Sequence, residues 1–469
     1  MADHPRSDTA PTIVWFRDDL RVADHPALAE AVQSGRPLVC LYVLDETPGI
    51  RPLGGAARWW LAGSLRALVR SLEQRGASLV LRRGPAAQVV ASVAANSGAN
   101  AVHWNRRHDA GAAIDETLAN SLATRGVAVR TFQAALLHDP PILGKSGNPL
   151  QVFTPFWRTA QTLGPPRAPL PAPKRIDGVH GLPSDDLASW KLEPEQPDWA
   201  AGMRESWTRG ETGAQERLAE FLDKELAGYA TQRDRPDLPG TSRLSPYLRF
   251  GEISPFQIWH AAQIAAGCGR GLRPRAADLE KFLSEIGWRE FAYHLLHQYP
   301  DLATRNIDRR FDRFPWRTDN KALRAWQRGQ TGYPMVDAGM RQLWQTGWMH
   351  NRVRMVVASF LVKHLMIDWR AGEQWFWNTL VDADAANNPA GWQWVAGCGA
   401  DAAPYFRVFN PAIQAEKFDP KGAYVDTFVP EAADGGTLFG TAYPAPIVEH
   451  RAARERALKA FSGLKSNAT

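Results

Sequence analysis

Strand-like and helical segments alternate regularly over positions 12–132 of this 469-residue chain. The strand-like apolar runs cover 12–16, 37–45, 78–82, 101–105 and 127–132. Helical patterns lie between them at 24–34, 58–75, 86–96 and 115–125, and each is followed by a glycine at a position typical of a helix C-cap. This alternation predicts an α/β domain with a five-stranded parallel sheet, Rossmann-like, covered by helices on both faces.

The turn after the first strand-like run lacks the glycines of a dinucleotide-binding loop. Positions 15–21 read WFRDDLR, without the GxGxxG pattern. Those glycines let a pyrophosphate approach a helix N-terminus closely. A nucleotide is therefore not expected to bind this domain in the Rossmann manner.

A proline-rich stretch over 137–205 separates the alternating part from the rest of the chain. A stretch of this length marks a domain boundary rather than a loop. Beyond position 212 strand patterns stop, and helical patterns cover 214–227, 255–266, 278–298, 334–345 and 349–367. We predict an α/β domain at 11–136, a long linker at 137–205 and an all-α domain at 206–469.

Composition argues against several classes of protein. Cys40, Cys268 and Cys398 lie far apart and form no CxxC pair, which argues against a disulfide frame or a zinc site. The chain has no apolar run of the ~18 residues that a membrane helix needs, and no secretion signal at its start. We therefore expect a cytoplasmic protein. The net charge of +6 permits a polyanionic partner without requiring one.

Tryptophan is unusually abundant, with 19 residues, of which ten lie between Trp288 and Trp394. Large aromatic side chains most often form core. The same density also suits a bound aromatic cofactor or a stacked base. Composition alone leaves both explanations open.

Hydroxyl side chains cluster at a predicted helix start, where Thr241, Ser242 and Ser245 follow Gly240. Hydroxyls and free N–H groups at a helix N-terminus suit a phosphate. The alternative is an N-cap beside a solvated Arg243, and composition alone favours it.

The helical pattern at 278–298 places Glu285, Trp288 and Arg289 on one face. A carboxyl, an indole and a guanidinium together can grip a base. An amphipathic helix with a Glu285–Arg289 ion pair explains the same spacing equally well.

Polar residues also enter the apolar helical pattern at 349–367, where Asn351, Arg354 and Met355 share a face. Buried polar groups need partners, and Asp382 or Asp384 can pair with Arg354. A purely structural ion pair is the alternative. Paired carboxylates also suit a metal or acid–base chemistry, but no histidine cluster accompanies them, so we expect no metal.

Six motifs, in order and over roughly residues 12–430, resemble signatures of the photolyase/cryptochrome family. They are FRDDLR from Phe16, GTSRLS from Gly240, WREF from Trp288, TGYP from Thr331, GWMHNR from Gly347 and GWQW from Gly391. Further details around Trp59, Trp104, Phe153 and Asn387 resemble the bacterial class III group most. The resemblance implies an N-terminal antenna domain, a linker and a helical FAD-binding domain.

The resemblance implies FAD, reduced and anionic in the active state. Asn388 matches the position that faces flavin N5, where an amide can donate or accept a hydrogen bond. The residues implied around FAD are Tyr229, Thr241, Ser242, Leu244, Ser245, Arg289, Asn351, Arg354, Asp382, Asp384 and Asn388. An implied electron path to the flavin from the surface consists of Trp316, Trp369 and Trp392.

The resemblance also implies a partner, UV-damaged DNA with a flipped pyrimidine dimer. The implied lesion pocket contains Glu285, Trp288, Asn351, Met355 and Trp394, and the implied phosphate contacts are Arg233, Arg352 and Arg407. The implied activity is blue-light-driven splitting of cyclobutane dimers by a monomeric enzyme, with Glu285 and Asn388 beside the reacting groups.

An antenna and two alternative functions stay open. Methenyltetrahydrofolate is the antenna that the class III resemblance implies, with Trp59, Trp60 and Trp104 as stacking candidates and sheet-covering core as the default. One alternative function is a cryptochrome-type photoreceptor without repair activity, against which Asn388 speaks, since plant-type cryptochromes usually place Asp there. The other is a light-independent DNA-binding protein with a structural flavin.

Overall fold

The chain begins with a five-stranded parallel sheet of strand order β3-β2-β1-β4-β5. The computed structural model describes residues 9–267, 274–402, 406–432 and 443–466. The strands are β1 (Thr12–Phe16), β2 (Leu38–Asp45), β3 (Leu79–Gly84), β4 (Ala101–Asn105) and β5 (Ala128–Phe132). Helices cover both faces, so β1 and β4 are buried along their whole length. The predicted α/β sheet is confirmed.

Four helices alternate with these strands, each close to its predicted bounds. They are α1 (Pro26–Gln33), α2 (Gly55–Glu73), α3 (Ala86–Ser97) and α4 (Ala112–Thr124). Helix α3 ends at Gly98, whose φ of +68° is the left-handed conformation that terminates helices and favours glycine.

The rest of the chain is helical, and no strand follows β5 among the described residues. The helices are α5 (Phe153–Thr162), α6 (Ala201–Ser206), α7 (Glu211–Lys224), α8 (Tyr229–Gln232), α9 (Ser245–Arg249), α10 (Pro255–Gly267), α11 (Ala276–Gln298), α12 (Asn320–Gln327), α13 (Pro334–Thr346), α14 (Asn351–Ser359), α15 (Trp369–Thr379), α16 (Asn387–Ala396), α17 (Pro411–Phe418), α18 (Ala423–Phe428) and α19 (His450–Ser466). Short 3₁₀ turns lie at Leu187–Trp190, Arg309–Arg313 and Pro430–Ala432. The predicted all-α second part is confirmed.

The single helix predicted at 349–367 is wrong in its extent. Helix α14 ends at Ser359, and a π-helical turn, Phe360–His364, follows it. Met366 then takes a φ of +55°. The wider turn keeps the apolar side chains buried, so the apolar pattern alone does not reveal it.

The connecting stretch 137–205 is attached to its neighbours along much of its length. Leu38 donates to Asp177 and accepts from Val179, which fixes the stretch beside the start of β2. Helix α5 buries Phe156 and Trp157 against α11. A proline-rich sequence therefore contributes a helix to the core of the helical part.

A continuous apolar core joins α2 to the helical part of the chain. The Trp60 ring stacks on Phe250, and its Nε1 donates to Glu252 at 3.0 Å. Glu252 also accepts from the Gly210 backbone at 2.7 Å, yet burial raises the pKa of its carboxyl to about 7. Trp59, Trp60 and Trp104 are at most 1 % exposed, so they lie in the core and offer no open face to an antenna.

Disulfides, membrane-spanning helices and metal-binding clusters are absent from the described part of the chain. Cys40 and Cys398 are free and buried, whereas Cys268 lies outside the described residues. Within the ranges given above, no helix has the length and apolarity needed to cross a membrane. No three His, Cys, Asp or Glu side chains of those ranges are grouped so that they could hold a metal ion.

Replacing Gly54 by alanine is expected to lower the free energy of unfolding by about 1–3 kcal/mol. A Cβ at Gly54 would overlap the carbonyl oxygen of Trp377 in α15, although its φ of −67° suits any residue. Urea unfolding of Gly54→Ala checks this. Gly391→Ala is the control, because Gly391 lies in a helix with open space around it. Equal stability of the two variants would contradict close packing at Gly54.

Candidate active site

A cluster of three polar side chains joins motifs that are far apart in the sequence. Arg354, in α14, donates to Asp382 at 2.8 Å, which confirms the predicted ion pair. Ser245, at the start of α9, donates to the same carboxylate at 2.6 Å. The backbone oxygen of Met349 accepts from Arg354 at 2.7 Å and fixes the guanidinium. The cluster therefore presents one immobilised cation beside one carboxylate.

Two residues expected near the flavin have buried polar atoms without partners, which tests whether a flavin fits. Asp382 Oδ1 and Trp392 Nε1 are buried and make no hydrogen bond within the described residues. Arg243 takes a φ of +51°, an uncommon conformation for a side chain of its size. Leaving such atoms unsatisfied costs free energy unless a ligand pairs with them. A flavin, with both hydrogen-bond donors and acceptors, fits these residues.

The Asn388 amide is fixed by Glu373. Asn388 Nδ2 donates to the Glu373 carboxylate at 2.8 Å and to its backbone oxygen at 3.0 Å. Arg51 forms a bidentate ion pair with the same carboxylate, at 2.7 and 2.8 Å. Both amide hydrogens are thereby used, and only the oxygen of Asn388 stays available to a ligand.

The other residues expected around FAD have different environments. Asp384 accepts from the backbone of Ala386 and Asn387 and so begins α16. Arg289 donates to the Ala135 backbone at 2.7 Å. Tyr229 is buried against Phe221 and Phe282, Leu244 is buried, Thr241 and Ser242 are half-buried, and Asn351 is exposed.

A second polar cluster contains residues expected to bind DNA. Arg233 pairs with Glu285, which also contacts Lys281 at 3.1 Å. Both cations approach the same oxygen of Glu285, Oε1. The alternative ion pair between Glu285 and Arg289 is not formed, because Arg289 donates to the Ala135 backbone instead.

Arg352 lies in the same polar cluster and is paired with an acid. Its Nη2 is 2.7 Å from Asp234, and its Nη1 is 3.8 Å from the sulfur of Met355. Asp234 also lies 3.8 Å from Arg233. The two expected phosphate ligands are therefore partly neutralised by their own chain.

The two tryptophans that are expected to stack on the lesion are held in place by different contacts. Trp288 stacks on Phe153 of α5, with ring centroids 3.7 Å apart, so one of its faces is covered. Trp394 donates to the Asp401 backbone at 3.0 Å. Arg407 is exposed, and its backbone oxygen accepts from the buried Lys363 at 2.5 Å.

The three tryptophans of the expected electron path differ in exposure. Trp392 and Trp369 are buried, and Trp369 donates to Asn306 at 2.8 Å. Trp316 is half-buried between two exposed residues. This order, from buried to partly exposed, is the one that a path from surface to flavin needs.

Sequence reasoning missed Glu373, Arg51, Asp234 and Lys363. Glu373 follows Trp369 by four residues and so shares its helix face, which was an available signal. Asp234 follows Arg233 directly. Burial lowers the pKa of Lys363 to about 7, and the apolar run around this lysine was an available signal of its burial.

The α/β sheet, the helical part and a polar cluster that a flavin fits agree with comparisons with known proteins. The family described as DNA photolyase matches residues 12–174. The family described as the FAD binding domain of DNA photolyase matches residues 282–463. The chain therefore belongs to the photolyase/cryptochrome family, which confirms the resemblance.

Individual members of the family differ in their similarity to this chain. The chain is 50% identical to the deoxyribodipyrimidine photo-lyase of Agrobacterium fabrum, covering 97% of this chain and 98% of that protein. The crystal structure of a bacterial class III photolyase from Agrobacterium tumefaciens superposes with a TM-score of 0.93, at 49% identity, over 98% of each chain. Cryptochrome-1 of Arabidopsis thaliana is more distant, at 34% identity over 96% of this chain and 70% of that protein.

Proposed function

We propose that this protein is a deoxyribodipyrimidine photolyase that splits cyclobutane pyrimidine dimers in DNA under blue light. The observation that carries the proposal is its full-length similarity, at 50% identity, to a protein of that name. The polar cluster of Arg233, Glu285 and Arg352 adds to it. Arg233 pairs with Glu285, whose carboxylate is suited to a base edge, and Arg352, which pairs with Asp234, is a second cation suited to phosphate.

FAD would be held by the cluster of Ser245, Arg354 and Asp382. When bound and reduced, FAD supplies the electron that opens the dimer after excitation and takes it back. Arg354 would neutralise negative charge on the cofactor, and Asp382 Oδ1 would gain its missing partner. Asn388 would offer its oxygen alone, because Glu373 holds both amide hydrogens. This acceptor-only role of Asn388 is narrower than the donor-or-acceptor role expected from the sequence.

Damaged DNA would be held in two ways. Arg233, Arg352 and Arg407 would contact phosphates, which gives affinity without sequence choice. The flipped dimer would stack on the open face of Trp288 and on Trp394, while Glu285 would hydrogen-bond a base edge. Asn351 and Met355 would complete the pocket wall, and Trp316, Trp369 and Trp392 would carry electrons to the flavin. An antenna of the methenyltetrahydrofolate type stays a prediction.

The deciding experiment is light-dependent repair. Reduced, FAD-loaded protein is mixed with UV-damaged oligothymidine and illuminated with blue light, and recovery of thymine absorbance is followed against a dark sample. Recovery in the light alone is expected. If thymine absorbance does not recover although flavin is bound and fully reduced, the repair proposal is wrong. The proposed function then becomes that of a photoreceptor without repair activity.

Neutralising Asp234 is expected to tighten DNA binding severalfold. Asp234→Asn removes the acid that competes with phosphate for Arg352, so the salt dependence of binding should steepen by about one phosphate contact. Fluorescence anisotropy over a salt series measures both the affinity for DNA and its salt dependence. Asp237→Asn is the matched control, since Asp237 pairs with Arg235 instead. Weaker binding by Asp234→Asn would mean that Asp234 orients Arg352 for DNA.

A further inference from the structure

Arg51 connects the α/β domain to the candidate flavin site. It lies between β2 and α2, yet its guanidinium forms the bidentate pair with Glu373 in α15. The guanidinium also lies over the Trp377 ring, 4.0 Å from its centroid. A planar fork on a carboxylate and an aromatic face fixes both groups in orientation as well as in charge.

The chain around Arg51 is itself held against α15. Trp377 Nε1 donates to the Pro52 backbone at 2.9 Å, and Gly55 N donates to Asn378 at 2.9 Å. Gly54 leaves no room for a side chain at this contact. The position of Arg51 is therefore determined by several contacts besides its ion pair.

The orientation of the Asn388 amide depends on this pair. Glu373 is 2 % exposed, and both of its carboxylate oxygens accept from Arg51. Asn388 donates to the backbone oxygen and the carboxylate of Glu373. A flipped amide would place its oxygen against those two oxygens, which is unfavourable while the carboxylate stays fixed.

We propose that Arg51 is a positioning residue that, through Glu373, makes Asn388 present only a hydrogen-bond acceptor to the flavin. The inference rests on the proposed function in one respect, that Asn388 faces flavin N5. An acceptor matches reduced flavin, which carries a hydrogen on N5, and opposes oxidised flavin, which carries a lone pair there. Arg51, from the α/β domain, thereby favours the reduced cofactor through Glu373 and Asn388.

Loss of Arg51 leaves Glu373 without its cation and free to turn. The Asn388 amide can then rotate and donate to N5, which favours oxidised flavin. At a fixed potential, the ratio of reduced to oxidised FAD is expected to fall about tenfold, or about 30 mV for a two-electron couple. Arg51→Lys keeps the charge but not the fork, so its shift should be smaller.

The test is the midpoint potential of bound FAD in Arg51→Met, Glu373→Gln and the double variant, measured by dye equilibration. If Arg51 acts through Glu373, both single variants shift the potential downward and the double variant shifts it no further. Arg58→Met is the matched control, because the Arg58 side chain donates to the backbone of Trp190 and Lys191 and not to Glu373. Its potential should equal that of the wild type.

An unchanged potential in flavin-loaded Arg51→Met, or strictly additive shifts in the double variant, would overturn the inference. If Arg51→Met does not fold, the midpoint potentials of Arg51→Lys and Glu373→Gln take its place, and unchanged potentials in both would overturn the inference. Repair by the wild type tests the proposed function separately. A shifted potential in a protein that repairs nothing would leave the Arg51 inference standing and remove the repair proposal.

Discussion

Asp382→Asn is expected to purify without flavin and to bind added FAD about 100-fold more weakly than the wild type. The carboxylate accepts from Arg354 at 2.8 Å and Ser245 at 2.6 Å, and its second oxygen is buried without a partner. A hydrogen bond to a charged group contributes about 1.5–3 kcal/mol, so losing one to the ligand accounts for the effect. Flavin absorbance and FAD titration of the apoprotein measure it.

The same variant should also unfold more readily, by about 3 kcal/mol, because it leaves the Arg354 cation without its counter-charge. Asp368→Asn is the matched control, since its carboxylate pairs with Arg370 at the surface and contributes at most about 1 kcal/mol. If Asp382→Asn keeps a full complement of flavin, the cluster is structural and FAD is bound elsewhere.

Glu285→Ala is expected to weaken binding of dimer-containing DNA by roughly 10–100-fold, the equivalent of one hydrogen bond to a charged group. Binding of undamaged DNA should stay equal or become tighter, because Arg233 is released from its pair and can contact phosphate. Loss of selectivity, rather than loss of affinity alone, is therefore the expected signature. Competition binding with damaged and undamaged duplexes measures the ratio.

Glu280→Ala provides the control for Glu285, because Glu280 is exposed on the same helix. It removes the same charge and should leave the ratio of affinities unchanged. An equal loss of affinity for both duplexes in Glu285→Ala would show that Glu285 supports the DNA-binding surface as a whole and does not read the lesion.

The sheet could be predicted almost residue by residue because its signal is local. Strands β1 and β4 are short apolar runs buried along their whole length, whereas β5 is mostly exposed, and a glycine follows each helix between the strands. The pattern limited the partner of Arg354 to Asp382 or Asp384, because a cation in an otherwise apolar helix needs a nearby carboxylate, and the structure shows that the partner is Asp382.

Contacts between distant segments could not be predicted from such patterns. Arg51 and Glu373 are separated by 322 positions, and neither stretch indicates the other. Phe153 covers one face of Trp288 from a stretch whose prolines indicated only a connector. The Glu285–Arg289 pair was a reasonable local alternative, but Arg233 and Lys281 approach Glu285 instead.

The core shared by α2 and the helical part has a consequence for protein engineering. Trp60, Phe250 and Glu252 belong to one packed unit although they come from separate domains in the sequence. A chimera that exchanges the first 136 residues for those of another family member would cut through this unit. It should remain folded only if Arg51, the Gly54 contact and the partners of Trp60 are exchanged together with their counterparts, so recombination has to follow the packing and not the domain boundary.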